Sequence, residues 1–492
     1  MLLDLPEDLL HAIILLVDDT KSILACLATC RRLNTLGDSL RVQYSIELGA
    51  SGMREGPDAR HLDVSEKLQR LRAYRSACAR DITLELLPFA PFVAGNIGSR
   101  LHSSVTTLVS ETDSDDEHRG TVLVQQMPSV LRGIEERHWS IELPGHMHKG
   151  VSAVDASQDL LVAYASDYSV NDTWILHMLS LSTGEPHPSA FCASKEVTRS
   201  HLVDEVLGDY CAAKGWEEAR RCVTIWNWKT QSREVKLFLP QPEPDFSFTF
   251  LDAAHIVILA TDPSVILVYS FDVEQSEYLP TTFALPTDSR ITNILELNNC
   301  TTVAGSDHPG IFHPTPSRML SVFFNTPRDP CWFYLNIPTD TLLAPLQAAP
   351  ATMQWADWGP AGSRLIPLPE NVKAGEFDPR GVMCAVTLAQ DESIWEAEST
   401  AVLADFRPSR VAQARRRGVG FIEEAYPATS EGVGGLVKAR LPYAAKKFTW
   451  PSPWKEYNVL MCEDQMFVIE DTDPMTPGEG GRVYPKAWVC TI

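Results

Sequence analysis

The chain has 492 residues, a hydrophobic fraction of 44% and a formal charge of −22 at pH 7. That apolar content supplies a real core and excludes a disordered scaffold, and the length suits two or three domains, or a small one followed by a large all-β one. The acidic balance argues against a nucleic-acid surface, because phosphate binding needs Lys and Arg in excess.

The first block, MLLDLPEDLLHAIILLVDDTKSILACLATCRRLNTL, predicts short helices from residue 5 to about 36. Leu9, Ile13 and Leu16 recur at helical spacing, and Leu10, Ile14 and Val17 repeat it on an adjacent face. Together these faces are wider than a lone surface helix needs. A signal peptide does not fit, since Asp4, Glu7 and Asp8 stand where positive charge is expected and no small-residue cleavage site follows. The run from Leu9 to Val17 is too short to span a bilayer, so no membrane is expected as a partner. Residues 38 to 52 predict a further helix with Asp38 or Ser39 as cap and Gly49 or Gly52 at its end. Another follows Val64, with Leu68, Leu71 and Tyr74 on one face and Asp63 or Ser65 as cap.

After Pro88 the chain breaks into short runs rich in Val, Ile, Trp, Tyr and Phe between Gly, Pro, Asp and Ser, the pattern of many short strands. ETDSDDEHRG (111 to 120) reads as a solvated acidic loop, with Ser114 as a candidate acidic-directed phosphorylation site. TWILHMLSLSTGE, RRCVTIWNWKTQS and SVILVYSFDVEQ align at Leu181, Trp228 and Phe271, spacings of 47 and 43 residues. LLVAYA, LGDYCAA and HIVILA lie upstream of each at nearly the same offset. A period in that range with several strands per unit predicts β-propeller blades. Later units, around CWFYLNI, DESIWEAESTAVLADF and EYNVLMCEDQMFVIE, are less regular. The final RVYPKAWVCTI predicts a strand able to join the two ends of the ring.

Signals for enzyme chemistry are thin. His146 and His148 form an HxH pair with no further ligands at metal spacing, and EGVGGL (431 to 436) lacks the Lys-Ser/Thr of a phosphate loop. No GxSxG elbow appears. The eleven cysteines include no Cys-x-x-Cys pair, which favours reduced thiols in an intracellular protein over a disulfide framework or zinc site. Arg407, Arg410, Arg415, Arg416 and Arg417 cluster in RPSRVAQARRRG, first of all an exposed helix end or loop. A nuclear-localisation patch and a site for acidic substrates are its functional alternatives. Strand tryptophans such as Trp139, Trp174, Trp226 and Trp228 are read as wedges between blades rather than a sugar-binding face.

Leu5-Pro6-Glu-Asp-Leu9-Leu10, then Ile13-Ile14, Val17, Ile23-Leu24 and Cys30-Arg31-Arg32 resemble an F-box, over residues 2 to about 40. Where that family usually carries an aromatic residue just past the Cys, this chain has Leu33. VQYSIELGASGM, LQRLRAYRSACARD, SQDLLVAY, LSLSTGEPHP, WNWKT and DWGPAGSRL extend the likeness to a fungal F-box protein family. The resemblance implies adaptor contacts by Leu5, Pro6, Leu9, Leu10, Ile13, Ile14, Val17, Ile23, Leu24, Cys30, Arg31 and Leu33. It implies a substrate-recognition subunit of a Skp–cullin–F-box ubiquitin ligase, partnered by a Skp adaptor, a cullin scaffold and an unknown target protein. No catalytic residue, cofactor or metal is expected, and the place of work is cytoplasm or nucleus. The alternative is a non-catalytic scaffold that binds partners without promoting ubiquitination. The expected architecture is an α+β multidomain chain: F-box (1–40), helical linker (41–87) and a WD-repeat-like β-propeller of about seven blades (88–492).

Overall fold

A computed structural model describes residues 4–491 apart from intervening stretches, of which 87–106, 113–120, 300–309, 368–382, 389–399, 423–438, 450–456 and 471–486 are the longer ones. The first part is helical: α1 (Glu7–Leu15), α2 (Thr20–Thr29), α3 (Arg31–Leu36), α4 (Leu40–Ala50) and α5 (Val64–Ala79). Caps set these boundaries. Ser39 Oγ accepts from Val42 N–H, and Asp63 accepts from Glu66 N–H at 2.9 Å.

From residue 107 onward the described residues form small antiparallel sheets made of consecutive strands. Thr107–Thr112, Thr121–Gln126 and Arg137–Glu142 give three strands. Lys149–Asp155, Leu160–Ser166, Thr173–Ser180 and Ser194–Thr198 give four, as do Val203–Leu207, Tyr210–Glu217, Arg220–Asn227 and Val235–Phe238. Phe246–Phe250, His255–Thr261, Ser264–Ser270 and Thr281–Ala284 gain a parallel edge strand, Thr352–Met353. Asn293–Asn299, Met319–Thr326, Asp329–Pro338 and Arg364–Pro367 follow. In the next sheet Tyr443–Thr449 lies between Thr400–Asp405 and Phe421–Ile422, so strand order departs from chain order. The last strand, Ala487–Thr491, pairs with Glu85–Leu86, and Met53–Glu55 pairs with Phe312–Pro314.

Successive sheets bury opposite faces of the same strands. Leu161 and Ala163 pack toward Val122, Val124 and Ile141, whereas Leu160 and Val162 pack toward Cys211, Ala213 and Trp226. Ile256 and Ile258 face one neighbouring sheet, and Val257 and Leu259 face the other. Side chains alternate across a strand, so a strand covered on both faces reads as an unbroken apolar run. That is why LLVAYA and HIVILA lack polar alternation.

The expected fold class, an α+β multidomain chain ending in a seven-bladed propeller, is corrected here. The described residues form separate small sheets of two to five strands, with few helices between them, and no closed ring of blades. The physical reason is that a repeat spacing reports the size of one supersecondary unit and says nothing of how the units are arranged. The spacing also breaks down where α6 (Thr339–Leu343), α7 (Trp355–Gly362) and α8 (Pro408–Arg417) are inserted between strands. Ser114, His146, His148 and residues 431–436 lie outside the described residues.

The helical part is joined to the sheets by several kinds of contact. On α4, Val42 and Ile46 face α1–α3, while Tyr44 and Leu48 enter a second core with Leu68, Leu71, Tyr74, Leu131, Ile311 and Phe312. Asp58 accepts from Gly310 N–H at 2.7 Å. Arg407, held in a forked pair by Asp405 (2.6 and 3.0 Å), donates to the Tyr74 hydroxyl at 2.8 Å. Lys446 Nζ donates to Arg80 O at 2.6 Å.

One buried carboxyl ties two neighbouring sheets. Glu205, beside a register shift in its strand, accepts from the Thr249 hydroxyl at 2.6 Å and from Phe250 N–H at 3.1 Å. Burial pushes its carboxyl up to about 8 from an ordinary 4.5, outweighing those two hydrogen bonds, and the nearby Asp204 charge adds to the rise. Between these values the folded chain keeps a proton that the unfolded chain has lost. The stability from this group is therefore full below about 4.5 and falls as pH rises toward about 8. Urea unfolding across that window is expected to show the fall in the wild type and a flatter profile in Glu205→Gln; identical profiles would contradict the assignment.

Candidate functional site

α1 begins where Pro6 fixes φ at −53° and its carbonyl accepts from Leu9 and Leu10 N–H, both at 3.1 Å. Arg32 Nη2 donates to Leu5 O at 2.8 Å, which pins the entering chain against α3. α2 is started by Asp19, which accepts from Ser22 Oγ, Ser22 N–H and Lys21 N–H. The Ser22 hydroxyl and these two N–H groups hold its carboxyl below the usual carboxylate range. α4 crosses close over α2, and a Cβ at Gly49 would run into the Thr20 hydroxyl.

The helices thus placed divide the expected adaptor contacts into two sets. Leu10, Ile14, Ile23 and Leu33 are buried and form a core with Leu27, Leu36 and Val42; Leu5, Val17 and Cys30 pack against it half-buried. These seven build the helical unit. Pro6, Leu9, Ile13, Leu24 and Arg31 stay exposed.

On α1 the exposed set is a second apolar face. Leu9 is 51%, Ile13 38% and Leu16, at the helix end, 79% exposed, at positions i, i+4 and i+7. Leu24 on α2 is 49% exposed. On the adjacent face of the same helix, about 100° away, Leu10 and Ile14 are 1% and 3% exposed. Scattered exposed leucines are ordinary; a row at helical spacing on a helix whose adjacent face is already buried is a contiguous patch suited to another protein. Leu16 is missing from the expected contact set, although its spacing from Leu9 and Ile13 was the signal that could have found it.

Elsewhere chemistry is sparse. Among the described residues no group of three or more His, Cys, Asp and Glu side chains could hold a metal ion. Among the described residues no helix is long and apolar enough to cross a membrane. Trp174, Trp226 and Trp228 on strands or just after them, and Trp355 and Trp358 on the inner side of α7, are buried rather than presented on a face.

No family model matches the chain, and no curated protein matches it. Among solved structures it is similar to the crystal structure of polysaccharide lyase Uly1, at 7% identity and a TM-score of 0.36, covering 82% of this chain and 91% of that one. A likeness of that size carries no argument about fold or activity.

The two faces of α1 separate core from surface by measurement. Leu10→Ala or Ile14→Ala is expected to cost about 2–5 kcal/mol of stability. Leu16→Ala is expected to stay within about 0.5 kcal/mol of wild type. Chemical denaturation of the three variants checks this, and a large loss with Leu16→Ala would mean that its side is also core.

Proposed function

We propose that the chain is a substrate receptor of a Skp–cullin–F-box ubiquitin ligase working in the cytoplasm or nucleus. The N-terminal helices dock the Skp adaptor, and through it the cullin, while the sheet body holds a target protein. The chain makes and breaks no bonds itself. Its contribution is proximity, since two proteins fixed in one assembly meet at a raised effective concentration.

The observation that carries this reading is the open apolar face of Leu9, Ile13 and Leu16, with Leu24 also exposed on α2, on helices whose neighbouring faces already form a complete small core. It coincides with the stretch that resembles an F-box. Full burial of each such side chain contributes about 1.5–3 kcal/mol, so a few of them supply a stable dock once the costs of association are met. The ties among α4, α5, Asp58 and Arg407 favour the same reading, because a receptor must hold its target at a fixed distance from the docked ligase.

Co-expression with a Skp adaptor and affinity purification tests the proposal. The wild-type chain is expected to retain the adaptor, and Leu9→Glu/Ile13→Glu/Leu16→Glu to lose it by about 100-fold or more while keeping its melting temperature, since the reversal places charge only in the dock. A wild-type chain that retains no adaptor would overturn the proposal.

A further inference from the structure

The arginine-rich segment that sequence alone leaves open becomes a defined element in the structure. Arg407 precedes α8, and Gly418 ends it with φ at 66°, its N–H donating to Ala414 O at 2.9 Å. The helix is inserted between two strands of one sheet, Thr400–Asp405 and Phe421–Ile422. It rests on that sheet through the buried Ala414, and the Arg415 guanidinium stacks over the Phe421 ring at 4.8 Å. Arg407 is fixed by Asp405 and Tyr74. The base of α8 is therefore held by a ring stack and charged hydrogen bonds.

Arg416 and Arg417 of its last turn are not accounted for by these contacts. Arg415, Arg416 and Arg417 are all exposed. The helix contains no acidic residue, and Asp405, just before it, is engaged with Arg407. Among the described residues no carboxylate lies within ion-pair distance of Arg416 or Arg417; Arg416 Nε reaches only Ala412 O, at 3.3 Å. A helix C-terminus does favour cations, but that effect is worth only about 0.3–1 kcal/mol and fades within a turn, so it does not call for two more beside Arg415. These charges also stand on a chain with 64 acidic and 42 basic residues, where a local excess of arginine runs against the overall field.

We infer that the C-terminal turn of α8 is a docking surface for an acidic peptide segment of a partner protein, gripped by Arg416 and Arg417 on a base held by Arg407 and Arg415. Guanidinium forks match carboxylates two bonds at a time, and arginine is less strongly hydrated than lysine, so such pairing is short and directional. Charge complementarity selects the partner. Nucleic acid offers the same sign of charge, but a net −22 repels a polyanion as long as a duplex, whereas a short acidic segment meets only the local patch. The inference rests on the receptor reading only in making the acidic partner a target.

Fluorescence anisotropy of a labelled peptide of alternating Glu and Gly, titrated with the full chain, tests it. Wild type is expected to bind at low salt and to weaken strongly when salt rises toward about 0.5 M, as contacts within a Debye length do. Arg416→Glu/Arg417→Glu and the neutral Arg416→Gln/Arg417→Gln are each expected to lose about tenfold or more, and a Gln/Gly peptide to stay free. A chain carrying Leu16→Glu on α1 is expected to bind the peptide like wild type, so a failed adaptor dock and a failed peptide dock remain distinguishable. Equal binding by wild type and the arginine variants, no binding at low salt, or tighter binding of a single-stranded oligonucleotide of equal length would overturn the inference.

Discussion

α1 carries more apolar surface than its own core can cover, and the arrangement of the N-terminal part follows from that. A helix of this length shows a core one stripe of side chains. Leu10 and Ile14 fill that stripe together with Ile23, Leu27, Leu33, Leu36 and Val42. Leu9, Ile13 and Leu16 are then left on the adjacent face by helical geometry alone, in contact with water. Such a surface is unfavourable for an isolated chain and favourable for an assembly, because the area that would be costly in solution drives association.

The proposed dock would be of little use on a flexible tether. α4 solves this by offering different faces to two cores: Val42 and Ile46 to α1–α3, Tyr44 and Leu48 to α5 and the sheets. Glu47 on the same helix reaches Arg75 of α5 at 2.8 Å. Beyond α5, the Tyr74 hydroxyl receives Arg407, whose forked pair with Asp405 fixes the start of α8. Removing one member of a mostly buried pair leaves the other unpaired, which is why such a joint resists opening. The path from the apolar face to the arginines of α8 thus runs through packed side chains and charged hydrogen bonds with no free linker between them.

Much of the local structure could be read in the residues. Pro6, Asp63 and Ser39 mark helix starts, and unbroken runs such as HIVILA mark strands covered on both faces. Three things could not be read. The inward and outward faces of α1 are indistinguishable in sequence because both are equally apolar, so Leu10 and Ile14 read as contacts alongside Leu9 and Ile13. The propeller reading rests on a spacing that fixes only the unit and not the arrangement of the units. The RPSRVAQARRRG segment is a helix because Pro408 and Gly418 punctuate it, yet its charge pattern lacks the apolar period that identifies a helix in sequence.

The most direct test is hydrogen–deuterium exchange on the chain alone and mixed with the Skp adaptor. If the open face is the dock, amides within Glu7–Thr29 slow on mixing while those of the strands His255–Thr261 and Ser264–Ser270 keep their rates. Unchanged exchange throughout Glu7–Thr29, or protection confined to the sheets, would contradict the account.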